Sequence, residues 1–308
     1  MNGIFTGWGR SLPEKIVSNC DLAKTIDTSD EWIRERTGIE RRHIGGTTAS
    51  LSIESGRKAM EMAGVDPSTI DALILATTTP DRTVPATSAA VQNGLGLRCG
   101  AFDVNAACSG FVYGLVTAHG LIAIGMKKVL VIGTDTLSRI TDWSDRNTAI
   151  LFADGSGAAV VEAVDGPGQL LGWDIDADGS LEDLLYAEIG GTLHMEGKEV
   201  FRRAVRIMVD SAQKSLKAAG LTTSDVTLVA PHQANLRIIE AACKRLDIPM
   251  SKAAWVGNET GNTSSASIPL ALFDAADKNR LKTGDIVLLV GFGAGMTAAS
   301  AVIKWKQP

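Results

Sequence analysis

Hydrophobic residues along this chain follow two rhythms. One is the short, nearly unbroken apolar run, at Ala72–Ala76, Lys128–Gly133, Val226–Ala230 and Ile286–Val290. Runs of that length bounded by polar residues read as strands buried on both faces. The other is the amphipathic helical period, at Ser55–Ala63 and Ser211–Ala219. Each helix ends on a glycine, Gly64 or Gly220, the residue best suited to the left-handed backbone that closes a helix. Helix followed by buried strand, more than once, predicts an α/β fold.

The two helix–glycine–strand units match in detail. Serine, lysine, alanine and glycine of Ser55–Gly64 recur 156 residues later in Ser211–Gly220. Val129–Gly133 returns 158 residues later as Val287–Gly291, and Gly157–Glu162 resembles Ala299–Lys304 at the shorter offset of 142. The first half therefore holds about 16 extra residues, near Asp135–Phe152. Matches in one order predict a duplicated α/β fold with halves 1–165 and 166–308, whose strand ends meet at a shared seam. The 154-residue spacing of Cys108 and Asn262 is read as placing them at equivalent positions, with His232 just after a repeat strand.

Composition narrows the class. The 308 residues are 45% hydrophobic and 21% charged, ample for a core and unlike a disordered chain. Thirty Lys and Arg against 35 Asp and Glu leave a net charge of −5, so no nucleic-acid partner is expected. No apolar stretch nears the roughly 20 residues that span a bilayer, and the first residues lack a signal-peptide pattern. Four cysteines without a C-x-x-C pair suggest neither a disulfide framework nor zinc. No membrane association and a cytoplasmic location are the expectations.

Cys108 lies where the strand ending near Val104 gives way to a helix running toward Ile124. Unpaired N–H groups at a helix start favour thiolate, so this thiol is the candidate nucleophile. Pro231-His232-Gln233-Ala234-Asn235 ends the strand before it, and Gly261-Asn262-Thr263-Ser264 precedes another helix. A cysteine with two N–H donors suits acyl chemistry, and Cys/His hydrolases use the same residue types.

These segments, with Asp27-Thr28-Ser29-Asp30-Glu31-Trp32, Arg36-Thr37-Gly38-Ile39 and Phe102-Asp103-Val104, resemble the β-ketoacyl-acyl carrier protein synthase III family. The resemblance runs from near residue 27 to Phe292. It implies a thiolase-like fold, two duplicated halves packed as a five-layer αβαβα sandwich, and a homodimer. It also implies a decarboxylative Claisen condensation that starts fatty acid synthesis. Cys108 would take an acyl group from an acyl-CoA, and malonyl-acyl carrier protein would then lose carbon dioxide and attack it. His232 and Asn262 would hold the malonyl thioester oxygen, and the backbone of Cys108 and the Phe292–Gly295 loop the acyl oxygen. No metal or redox cofactor is implied; coenzyme A enters as part of the substrate.

Thr28-x-x-Glu31 is expected to form a capping box, with Trp32 and Arg36 on one helical face. By resemblance Thr28, Trp32, Arg36 and Arg146 hold the coenzyme, and Gly197, Phe201, Ala234 and Asn235 line the pantetheine tunnel. The acyl carrier protein is acidic, so Arg237, Lys244 and Arg245, with Arg202 on a second helix, are candidate docking residues. Two departures stand out. Ala294 replaces a glycine common in the family, and Val84 replaces a phenylalanine said to reach across the dimer into the acyl pocket, which suggests room for a longer or branched starter. Other readings are a starter enzyme of a polyketide or alkylquinolone pathway, a degenerate partner subunit, and a cysteine hydrolase. Asp174-Ile-Asp176-Ala-Asp178-Gly179 begins like a calcium loop, but Leu185 stands where the closing glutamate belongs.

Overall fold

Each apolar run becomes a buried strand in the computed structural model, which describes residues 2–307. Met1 and Pro308, the outer bounds of the two halves, lie outside the described residues. Leaving the shortest pieces unlabelled, the strands are β1 (Asn2–Ser11), β2 (Ala72–Ala76), β3 (Gly100–Val104), β4 (Lys128–Thr136), β5 (Asp154–Val164), β6 (Leu170–Ala177), β7 (Leu228–Pro231), β8 (Ile286–Gly293) and β9 (Thr297–Lys304). The helices are α1 (Asp30–Thr37), α2 (Thr48–Ala63), α3 (Thr87–Gly94), α4 (Gly110–Ala123), α5 (Gly197–Ala218), α6 (Leu236–Arg245) and α7 (Ser267–Asp277).

One sheet has the order β1-β5-β4-β2-β3 and the other β7-β8-β9-β6. Strands β2, β3 and β4 run parallel, as do β7 and β8, whereas β5, β9 and their outer neighbours pair antiparallel. The place of β3 in the second sheet is taken by a single parallel bridge, Val229 to Ala253. Helices α4 and α7 lie between the sheets, and their side chains form one core with inward-facing residues of both. Helices α2 and α3 cover the outer face of the first sheet, α5 and α6 that of the second. Five layers result, α-β-α-β-α, with both faces of each sheet buried, as the continuous apolar runs require.

A shared close approach explains the repeat. A Cβ on Gly7 would lie 2.3 Å from Ala59 O and 2.5 Å from Ala63 N; on Gly172 it would lie 2.4 Å from Ser215 O and 2.7 Å from Ala219 N. The contacted helix residues are 156 apart, the offset read from the sequence. Strand and helix backbones therefore touch at one equivalent point in each half, where only glycine fits. Gly7-Trp8 and Gly172-Trp173 are thus counterparts that the sequence search overlooked.

Register corrects the pairing of Cys108 with Asn262. The short turns Ala107–Ser109 and Ser264–Ala266, which lead into α4 and α7, are 157 residues apart. Ala107 and Ser264 share a left-handed backbone, φ 49° and 51°. Cys108 is therefore the counterpart of Ser265, and Asn262 that of Asn105. The insertion in the first half runs from Leu137 to Ala153, between β4 and β5, where the second half has only Ala294–Met296.

Candidate active site

Three segments meet at a cavity of about 90 Å³ whose lining includes Cys108, His232, Asn262 and Phe292. Its outer part includes Gly197, Phe201, Ala234 and Asn235, together with Leu185 and Met195 from a short hairpin and Leu151 and Phe152 from the insertion. The latter four escaped the sequence reading, because side chains from a hairpin and an insertion have no periodic signature.

Cys108 sits in the turn before α4, and Asn105 Oδ1 accepts the Ala107 N–H at 3.2 Å. The end of β8 presses against this turn: a Cβ on Gly293 would lie 2.7 Å from Cys108 N. Glycine at 293 thus leaves room around the backbone amide that is the candidate acyl-oxygen donor. Burial pushes the thiol up to about 12; a hydrogen bond with Ser264 works against that rise, and the Asp135 charge adds to it. Burial thus works against the thiolate expected from the helix start, for a sulfur set in the turn preceding α4. The group is a protonated thiol at neutral pH.

His232 continues the ladder after β7, donating its N–H to Val290 O at 2.8 Å. Its Nδ1 lies 2.6 Å from Ser267 Oγ, and its ring meets Phe292 edge-on with centroids 5.3 Å apart. Burial lowers its pKa to about 3, so the imidazole is neutral.

Asn262 is laced to the insertion. Its N–H donates to Leu151 O, and Ala153 N–H donates to Asn262 O, both at 2.9 Å. Its Oδ1 accepts the Ser264 N–H at 3.0 Å. With that oxygen engaged, the Nδ2 amide is the part of the side chain left for the cavity. Beneath it, buried Asp135 accepts from Thr77, Thr78 and Thr79 of the first half and from the N–H and hydroxyl of Ser265, at 3.0 and 2.7 Å. Neither Asp135 nor Ser267 was singled out from the sequence.

At the surface, the indole of Trp32 has the guanidinium of Arg36 and that of Arg146 each 4.6 Å from its ring centre. Arg146 also donates to Asp27 O at 3.0 Å. Helix α1 is capped by Ser29, whose hydroxyl accepts the Trp32 N–H, so the expected box from Thr28 to Glu31 is one residue out of register. Thr28 Oγ1 is buried with no hydrogen-bond partner among the described residues. Asn235 caps α6 through the Arg237 N–H and donates to Arg36 O, joining tunnel wall to rim.

The remaining candidates separate. Phe292 lines the cavity; Ala294 does not, and keeps negative φ while Gly295 takes the left-handed turn at φ 111°. Val84, in a cis bond to Pro85, is 81% exposed and not brought to the cavity within this chain. Arg237, Lys244 and Arg245 are exposed on α6, with no ion pair among the described residues, and Arg237 lies over Phe201 at 5.8 Å. Arg202 is paired with Glu199 at 2.6 Å, and Arg206 with Asp210 at 3.5 Å. The calcium-like stretch is largely strand β6, and Lys214 reaches Asp176 at 3.0 Å and Asp174 at 3.6 Å.

Comparison with known proteins bears on the same segments. The family model described as 3-oxoacyl-[acyl-carrier-protein] synthase III matches residues 102–179, and the one for its C-terminal part matches 216–305. The β-ketoacyl-[acyl-carrier-protein] synthase III of Roseiflexus castenholzii is 48% identical, over 98% of both chains. The chain belongs to this synthase III family. A Bacillus anthracis member is 46% identical over the full length of both chains. Among solved structures, the synthase III of Aquifex aeolicus VF5 superposes with a TM-score of 0.96 at 41% identity, covering 98% of this chain and 100% of that one. The priming β-ketosynthase of the R1128 polyketide pathway gives 0.95 at 36% identity, covering 100% and 97%. The fold is thus the thiolase-like one of this family, and the chain is an acyltransferase-type condensing enzyme.

Proposed function

We propose that this chain joins an acyl-CoA starter to malonyl-acyl carrier protein in two half-reactions at the one cavity, opening fatty acid synthesis. The observation that carries this is the convergence of Cys108, His232 and Asn262, one thiol and two neutral N–H groups, in an enclosed apolar space.

In the first stage the Cys108 sulfur attacks the acyl thioester. The bond from acyl carbon to the coenzyme sulfur breaks, and the thiol proton leaves with the coenzyme as its own thiol. The exchange is neutral overall, which suits a thiol held protonated by burial. In the second stage the malonyl unit releases carbon dioxide, and the electron pair left behind forms an enolate. Asn262 Nδ2 and the His232 N–H donate to its oxygen; prearranged donors in a dry site are worth about 3 kcal/mol each. The enolate carbon attacks acyl-Cys108, the bond from acyl carbon to sulfur breaks, and the departing sulfur takes up one proton from solvent.

The indole with two guanidiniums against its ring, and the buried Thr28 hydroxyl, support a rim that receives the nucleotide end of coenzyme A. The unpaired cations of α6 support docking of an acidic carrier protein there, with Arg202 a lesser contributor because Glu199 already neutralises it. Edge strand β3, with Phe102 38% exposed, and the exposed Val84 support a homodimer. The reading calls for no metal or redox cofactor. Among the described residues no helix is long and apolar enough to cross a membrane; a cytoplasmic location belongs to the proposal.

Intact-mass measurement with an acyl-CoA panel tests the reading. One acyl adduct should form, vanish in Cys108→Ala, and discharge on malonyl-acyl carrier protein. A strict preference for acetyl-CoA over C4–C8 starters would refute the roomier pocket inferred from Val84.

A further inference from the structure

The pair formed by His232 and Ser267 has no counterpart in the other half. His232 occupies the position of Ala76: Ala76 ends β2 opposite Gly133, and His232, one step beyond β7, lies beside Gly291. Ser267 occupies that of Gly110, the first residue of α4, where an added Cβ would lie 3.0 Å from Ala76 Cβ. The fold therefore needs neither an imidazole nor a hydroxyl at this contact. The second half acquired both, and both are 1% exposed.

Direction follows from hydrogen-bond accounting. The Ser267 hydroxyl has His232 Nδ1, at 2.6 Å, as its one hydrogen-bond partner among the described residues. Were Nδ1 to carry the proton, the buried hydroxyl would be left with a proton and no acceptor, an arrangement folded proteins avoid. The hydroxyl therefore donates and Nδ1 accepts. A neutral imidazole has a single N–H, which then falls on Nε2.

We propose that Ser267 is a positioning residue of the condensation half-reaction, fixing His232 in the tautomer that keeps its N–H on Nε2, away from the serine. Without this hydroxyl the ring is free to carry its proton on Nδ1, which leaves a lone pair on Nε2 where an enolate oxygen needs a donor. The kinetic part rests on the two-stage reading above; the tautomer itself does not.

The test is Ser267→Ala, with Ser267→Cys as a weaker donor of similar size. In the resting protein, ¹⁵N–¹H spectra of labelled histidine should show His232 protonated on Nε2, and the Ala variant should gain an Nδ1–H population. Acyl loading of Cys108 should stay within threefold, while kcat with malonyl-acyl carrier protein falls 10- to 100-fold at little-changed KM, the Cys variant lying between. An unchanged Nε2–H signal with condensation within twofold would overturn the proposal, as would equal loss in loading and condensation. If the parent protein forms no Cys108 adduct, the two-stage reading fails, and the spectra still decide the tautomer.

Discussion

The turn from Asn105 to Gly110 and the turn from Asn262 to Ser267 share one backbone and opposite fittings. In each, an asparagine Oδ1 accepts an N–H two residues on, at Ala107 or Ser264, which has a left-handed φ near 50°. The first turn leaves Asn105 exposed and puts the Cys108 thiol at the cavity. The second buries Ser265 on Asp135 and puts the Asn262 amide there instead. Duplication supplied two copies of a strained turn, and each half kept a different side chain live. The difference explains why one cavity needs both halves: neither turn alone brings both a thiol and an amide to it.

Removing the anchor of the second turn should have the largest effect. Asp135→Asn presents an NH₂ to hydrogen-bond donors in a fully buried site and should cost about 2–4 kcal/mol in urea unfolding. Asn105→Ala, on the exposed turn, should cost under about 1 kcal/mol. Equal losses would mean that the two turns are held alike.

Acid should find the second difference. Buried His232 and half-buried His119 are neutral, with pKa lowered to about 3 and about 4 by desolvation. The unfolded chain takes up those protons near pH 6.5 and the folded chain does not, so stability is full above that pH and falls as pH drops toward 4. Between pH 6.5 and 5 each imidazole should remove roughly 2 kcal/mol. His119→Phe should flatten the slope; an unchanged slope would contradict the assignment.

The smallest effect concerns the surface. Reversing Arg237 and Lys244 to glutamate should raise KM for the carrier-protein substrate several-fold and spare acyl-CoA loading. Reversing the paired Arg202 should do less. Equal loss in both half-reactions would place these residues outside carrier docking.

The duplication was legible because the helix that packs on each sheet keeps the same serine, lysine, alanine and glycine at one offset, while the strand glycines it touches were overlooked. The cavity trio was legible from two local signals: Cys108 and His232 follow strand ends, and Asn262 follows a glycine at the entrance to a helix. Register within the turns was not: α4 and α7 start 157 residues apart, and a nearby offset of 154 paired two chemically suggestive residues that are not counterparts. Thr28 and Ser29 cap helices equally well on paper, and only the backbone selects Ser29. The thiol's protonation was misread because burial leaves no local trace. Ser267 and Asp135 were silent for a similar reason, since a buried hydroxyl or carboxylate declares itself only through distant partners.

The division of labour between the two turns is tested most directly by intact-mass measurement on Asn262→Ala. The variant should take up one acyl group on Cys108 at near-parental rate. It should then hold that adduct when malonyl-acyl carrier protein is added, discharging it 100-fold or more slowly than the parent. Failure to load, or discharge at the parental rate, would contradict the assignment of the second turn to condensation.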